Sequence, residues 1–298
     1  MNESCLTFIH TLSPLHAGTG QGVGVIDLPI AREKATNLPY FPGSSLKGTL
    51  RDECGDDATR DKIFGKGGDS TGSSGSAIFS DLHLLCLPVR SLFGTFAWVT
   101  SPYILERFKR DIDSIGQTIV IDVTKPALEN CIVAADSALK NGEKVILEDL
   151  DLNATESDNN EDRDLNAAED DNNFAALLAG KIFPNDADWQ KAFKERFCVV
   201  SDDVMNFLAE TATEVTARNV LDDNKTSDNL WYEESLPTET ILSGILSTVK
   251  VNADAAEVFT TVRGITERPL QLGGNATVGR GLCKIIIDHN GGAANANA

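Results

Sequence analysis

Two side chains in the first thirty residues have the chemistry to act on a phosphodiester. Asp27 lies in GVGVIDLPI, and His16 lies at the start of the same long loop. A carboxylate with an ordinary pKa near 3.9 is a poor base for a ribose hydroxyl. It is better suited to binding a divalent cation, or to orienting nucleophile and leaving group for in-line attack. An imidazole titrates near neutrality and can shuttle a proton. A turn-capping aspartate and a structural histidine are the competing readings. Glu233 and Glu234 are weaker candidates further along the chain.

Three Gly-rich or basic stretches could hold a strand for these groups. In PGSSLKGTLRDE, Pro42 and Gly43 break the preceding segment, Ser44 or Ser45 can cap a helix, and Lys47 and Arg51 follow at i and i+4. Helix amides with two cations behind them make a plausible phosphate cradle. A solvated helix whose cations pair with nearby acids is the plainer alternative. Arg90 sits in LPVRS. Gly273, Gly274, Asn275, Thr277 and Arg280 sit in LQLGGNATVGRG, where glycine lets backbone approach a phosphate. A fourth stretch, 214–237, reads as two β-prone runs around a polar turn and carries Arg218, Lys225, Trp231 and Tyr232. A projecting hairpin of this kind can wedge between bases.

The elements that must position these residues follow from the apolar pattern. CLTFIHTL reads as a strand, GSSLKGTLRDE as a helix, and SAIFSDLHLLCLPV as a strand. A helix runs from Ser101 or Pro102 to Asp113. DADWQKAFKERF and SDDVMNFLAETA are helical, the second capped by Ser201. TILSGILSTVK, ADAAEVFTTVRGI and the final CKIIID give strand, helix, strand. The order predicts an α+β domain with an antiparallel sheet, ferredoxin-like or RRM-like. One domain spans 1–290. KGGDSTGSSGS (66–76) reads as a linker, KVILEDLDL as a strand, the acidic stretch within 146–173 as a disordered insertion, and 291–298 as a tail.

The formal net charge is −19 over 298 residues, which at first sight argues against nucleic acid. The acid is unevenly spread. Residues 148–171 hold eleven acids and one arginine, whereas residues 1–52 hold four acids and four bases. Six scattered cysteines, with no C-x-x-C pair, point to reduced buried thiols in a cytoplasmic protein. No apolar run reaches bilayer length and no signal peptide is evident, so no membrane is expected.

Taken in order, HTLSPLHAGTGQGVGVIDLPIAREKATNLPYFPGSSLKGTLRDE, FSDLHLLCLPVRSLFGTFAWVTSPYILERFKRD, TEVTARNVLDDNKTSDNLWYEESLPTET and LQLGGNATVGRGL resemble one family from Leu6 to Asp288. It is the repeated backbone subunit, subunit four, of the type III-B CRISPR (Cmr) effector, in the RAMP superfamily. The resemblance implies a modified ferredoxin-like palm, inserted fingers and a thumb hairpin at 214–237. It implies copies stacked on a CRISPR RNA with other Cmr subunits, and cleavage of single-stranded target RNA at regular intervals with a divalent cation, Mg or Mn. On that likeness Asp27 is catalytic and binds the metal, His16 is accessory, and Lys47 and Arg51 grip the guide. Two other readings remain: a non-catalytic scaffold of the same fold, of type III-A kind or inactive, and an acidic α+β protein without RNA.

Overall fold

The computed structural model describes residues 3–20, 25–66, 73–119, 124–156, 174–221 and 227–288. Strand β1 (Ser4–Thr11) leads into a long connection, then β2 (Tyr40–Phe41), α1 (Gly43–Glu53) and α2 (Asp57–Phe64). Next come β3 (Ala77–Phe79), β4 (Leu82–Arg90), β5 (Phe96–Thr100) and α3 (Pro102–Ser114). The middle of the chain forms β6 (Asn130–Val133), β7 (Lys140–Asn141), β8 (Lys144–Leu147), β9 (Leu150–Glu156), α4 (Phe174–Ile182), α5 (Ala187–Arg196), β10 (Phe197–Val200) and α6 (Asp202–Thr211). Strands β11 (Glu214–Leu221) and β12 (Ser227–Ser235) form a separate two-stranded sheet. The chain closes with β13 (Ile241–Thr248), α7 (Ala255–Thr266), β14 (Leu270–Gln271) and β15 (Leu282–Asp288).

The expected ferredoxin-like core is present. β15, β1, β13 and β4 lie side by side, every pair antiparallel. With α1 after the first strand and α7 after the third, this is the β-α-β-β-α-β arrangement. Everything from β5 to the β11–β12 hairpin is inserted between its second and third strands. That insertion extends the sheet through β5, β10, β6, β9, β8 and β7. The extension departs from the purely antiparallel expectation, since β10–β5 and β6–β9 are parallel.

β1 is buried from Cys5 to Thr11, without alternation, because helices cover both faces. Phe8 packs on Phe108 of α3, and His10 meets Phe183 and Trp189 on the same side. On the other side the Arg263 charge of α7 acts on the Cys5 thiol. All six cysteines are buried and unpaired. Burial pushes the Cys5 thiol up to about 12 and raises Cys86 and Cys283 as well, which keeps these three protonated and unreactive.

Several local expectations change. KVILEDLDL is the hairpin β8–β9, turning at Glu148 with φ +48°, so the acidic stretch begins as paired strand. SAIFSDLHLLCLPV breaks at Ser80–Asp81 into β3 and β4. The linker expectation fails at 73–76. Ser76 is buried, and its hydroxyl accepts from the Asn252 and Ala253 amides. The rest of that linker (67–72), the acidic residues 157–173, the hairpin turn with Lys225 and the tail 291–298 lie outside the described residues. No helix among the described residues is long and apolar enough to cross a membrane.

A partly buried ion cluster, with Arg107 at its buried end, anchors the connection after β1. Glu33 Oε1 accepts from His83 Nδ1 and Arg107 Nη1, each at 2.6 Å, and Glu33 Oε2 accepts from Thr36 Oγ1. Burial alone would push this carboxyl up. The hydrogen bonds from His83 and Thr36 and the Arg107 charge outweigh it and lower the pKa from 4.5 to about 2. The folded chain thus binds this proton more weakly than the unfolded chain. The stabilisation is whole above about pH 4.5 and is lost as pH falls toward 2. Discounted for solvent screening at this partly exposed site, it is on the order of 1–2 kcal/mol. Urea unfolding across that window should show the loss, and Glu33→Gln should remove most of the pH dependence.

Candidate nucleic-acid interface

The loop carrying Asp27 stands on a paired stem. Gly18 bridges Ile30, and the Ala31 amide donates to the Ala17 carbonyl at 2.8 Å. Beyond the stem the loop lies along the hairpin. Leu28 N–H donates to Tyr232 O, and Glu234 N–H donates to Leu28 O, both at 3.0 Å. This is a short parallel ladder with Leu28 opposite Glu233. Side chains extend it at both ends. Asp27 Oδ2 accepts from Tyr232 N–H at 2.8 Å, and Glu234 Oε2 accepts from Ile30 N–H at 3.1 Å. Asp27 is nonetheless exposed, and its Oδ1 has no partner among the described residues. Val25, Leu230 and Tyr232 offer exposed apolar surface on the same loop and strand.

The two glutamates after Tyr232 hold the base of the hairpin. Glu234 is buried; besides Ile30, its carboxylate receives Arg32 Nη2 at 2.5 Å and Thr213 Oγ1 at 3.0 Å. Arg32 also reaches the carbonyls of Asn37 and Ala209, tying the loop to α6. Glu233 receives Trp231 Nε1 at 2.9 Å, Asn275 Nδ2 at 3.0 Å and Arg218 Nε at 3.1 Å. Burial would raise its pKa, but the Trp231 and Arg218 hydrogen bonds and the Arg218 and His16 charges win and hold it below the usual carboxylate range. These glutamates look weak in sequence because both are acids in an acidic chain. Their signal is position: they occupy adjacent buried positions on one strand, so they face opposite sides of the hairpin.

His16 is buried, and its Nδ1 donates to the Glu234 carbonyl at 2.6 Å. That bond fixes the tautomer. The attachment points of His16 and Asp27 are two residues apart on β12, roughly 7 Å. The other face of the imidazole meets Gly18 and the Gly-rich turn. The Gly274 amide donates to His16 O at 3.0 Å, and a Cβ on Gly273, whose φ is +69°, would run into that same carbonyl. Here glycine serves the packing of His16, where the sequence suggests phosphate access. His16, Gly18, Ser45, Thr49, Gly273 and Gly274 line a cleft of ≈330 Å³.

Helix α1 divides the residues expected to act together. At 100° per residue, Lys47 and Arg51 sit roughly 200° around the helix from Ser45 and Thr49. Ser45 and Thr49 face the cleft. Lys47 Nζ donates to Ala77 O at 3.1 Å, and Arg51 Nε donates to Gly65 O at 3.1 Å with Asp61 at 3.7 Å. Burial lowers the Lys47 pKa. The helix start is also spoken for. Pro42 is the N-cap, with no cap from Ser44 or Ser45, and Gly43 N–H donates to the Asp81 carboxylate at 2.8 Å. Gly43 is glycine because a Cβ would strike the Ser80 carbonyl. The basic helix and the Gly-rich turn, both expected to hold one strand, therefore present separate surfaces, with both cations holding protein carbonyls.

The remaining candidates gather at the hairpin, save one. Arg280 binds Glu214 Oε2 at 3.1 Å and Thr216 Oγ1 at 2.9 Å. Asn275, in the left-handed region at φ +63°, reaches Glu233. Thr277 is exposed on the same turn. Arg90 stands apart at the end of β4, its side chain 73% exposed and 3.3 Å from Glu148. Among the described residues no group of three or more His, Cys, Asp and Glu side chains could hold a metal ion.

Known proteins resemble this chain in sequence and fold. A family profile described as the RAMP superfamily matches residues 8–284. The chain is 34% identical to the CRISPR system Cmr endoribonuclease Cmr4 of Pyrococcus furiosus, covering 97% of this chain and 98% of that protein. Oligomeric Cmr4 from the same organism superposes with a TM-score of 0.73 at 29% identity, over 96% of this chain and 98% of that one. A chain of a type III-B Cmr-beta complex bound to cognate target RNA gives 0.70 at 19% identity, over 95% and 96%, a likeness of fold alone. The chain belongs to the RAMP superfamily, in the branch of the Cmr4 proteins.

Proposed function

We propose that the chain is a backbone subunit of a type III-B CRISPR effector, that copies of it line a CRISPR RNA beside other Cmr subunits, and that it cuts complementary target RNA at regular intervals. One observation carries the reading: an exposed carboxylate, Asp27, is held against a hairpin that presents exposed Leu230 and Tyr232. A hairpin that parts stacked bases would leave a distorted ribose–phosphate linkage beside that carboxylate. In-line attack by the neighbouring 2′-hydroxyl then forms the O2′–P bond and breaks P–O5′, the O2′ proton passing to solvent water and O5′ taking a proton from water, leaving a cyclic phosphate and a 5′-hydroxyl. Asp27 Oδ1 orients the attacking hydroxyl. Glu233, bound to Arg218, Trp231 and Asn275, stays out of the reaction.

A divalent cation such as Mg or Mn fits only as a shared ion. Mg²⁺ is commonly held by one or two carboxylates with water and substrate phosphate oxygens. Asp27 can give one carboxylate oxygen; the surrounding donors make no cage. Bound there, the cation would supply Lewis-acid charge at the phosphoryl oxygens.

The test is reconstitution with a CRISPR RNA and the partner subunits. An ordered multimer on the guide and evenly spaced cuts in a complementary RNA are expected. An ordered multimer without cutting would leave the scaffold reading, and no multimer would leave the reading without RNA. Arg90, exposed and remote from the hairpin, reports on the guide surface. Arg90→Ala should weaken guide binding uniformly and reduce the salt slope of log K by about 1, with little change in stability.

A further inference from the structure

Glu234 does more than hold the hairpin together. Its backbone N–H, backbone carbonyl and both carboxylate oxygens are all used, and they bind Leu28, His16, Ile30, Arg32 and Thr213. In a parallel ladder the Ile30 amide would normally donate to the Glu234 carbonyl. His16 Nδ1 takes that carbonyl instead, and the Glu234 carboxylate replaces it at Ile30. The carboxylate therefore closes the ladder at one end, as Asp27 closes it at the other. Only Leu28 and Pro29 separate Asp27 from Ile30, so the cutting carboxylate has little freedom relative to β12 while Glu234 holds.

We propose that Glu234 is a positioning residue for RNA cleavage, one that locks the Asp27 loop to the hairpin so that the hairpin's seat in the RNA selects the linkage that is cut. This rests on the cleavage role assigned to Asp27 above. The loop and the hairpin then move as one body. Loosening the far end of the ladder lets Asp27 reach neighbouring linkages and spend less time at the correct one. A misplacement of about 1 Å can lower a rate on the order of 100-fold.

The experiment uses the fully assembled complex with its guide and an end-labelled complementary RNA, resolved to single nucleotides under single-turnover conditions. Glu234→Ala should cut about 10- to 100-fold more slowly, with unchanged target affinity, and its products should spread over adjacent positions. A merely structural role would lower the amount of active complex and leave the cut positions unchanged, and unchanged positions overturn the proposal whatever the rate. If Glu234→Ala does not assemble, the double variant Arg32→Met, Glu234→Met decides by the same readout, since it keeps the volume, removes the acceptor for Ile30 and leaves neither charge of the pair unpartnered. Asp27→Ala run alongside separates the two ideas. Normal cutting by that variant sinks the cleavage assignment itself; loss of cutting there, with wild-type positions in the Glu234 variants, sinks only the positioning role.

Discussion

Asp27→Ala is expected to abolish target cleavage while guide binding and assembly stay at wild-type levels. Asp27 is exposed, and among the described residues its side chain makes one hydrogen bond, to Tyr232 N–H, so its removal should cost about 1 kcal/mol of stability. A group that handles the reacting hydroxyl contributes about 10²–10⁴-fold, which puts the variant's rate near background. Asp27→Asn refines the test. Its amide oxygen can still accept from Tyr232, so the ladder and hairpin survive, but the negative charge is gone. Equal loss in both variants assigns the effect to charge. Full activity in the asparagine variant would mean that shape at this position suffices. The readout is the single-turnover rate in the assembled complex, with a gel-shift measurement of guide binding beside it.

The second large effect concerns stability. Glu33→Ala leaves Arg107, whose side chain is 7% exposed, without its carboxylate, and takes the acceptor from His83 and Thr36 as well. Breaking a buried ion pair from one side costs about 3–5 kcal/mol. For a domain of this size that is a fall in Tm of about 10 °C. Glu33 follows Arg32 in the chain, and Arg32 is bound to Glu234, so the connection that carries Asp27 should loosen too. Calorimetry of the isolated chain measures the first effect, and hydrogen exchange at 28–38 the second. An unchanged Tm would mean that Arg107 finds another partner, such as the Leu84 carbonyl it already touches at 3.2 Å.

Local signals in the sequence were strong where geometry is local. The Pro42–Gly43 break sets the start of α1 correctly. Ser201 caps α6 as expected, its hydroxyl accepting from Val204 N–H. The hairpin was legible as two β-prone runs, and the strand–helix order gave the ferredoxin-like core. β6, β10 and α4 were missed because four-residue strands and a helix that is apolar almost all round carry no clear period. α2 was missed because its polar run buries only Ile63 and Phe64.

The site was legible by residue type and illegible by partnership. Asp27 and His16 do converge, but on a strand more than 200 positions away, and no spacing encodes that ladder. Lys47 and Arg51 share a helix face as read, yet that face looks toward β3 and α2. Sequence gives the face of a helix and leaves open what the face meets. Gly43 and Gly273 illustrate the same limit. Each is required by a close backbone approach, to Ser80 and to His16, where the sequence suggested a phosphate.

Photocrosslinking tests the central claim most directly. A photoreactive nucleotide placed at the expected cut position of the target RNA, in a guide-loaded complex carrying Asp27→Ala to prevent cleavage, should crosslink to residues 25–30 or to Leu230–Tyr232. Crosslinks confined to the far side of the domain, at Trp189 of α5 or at the β7–β8 edge, would contradict it.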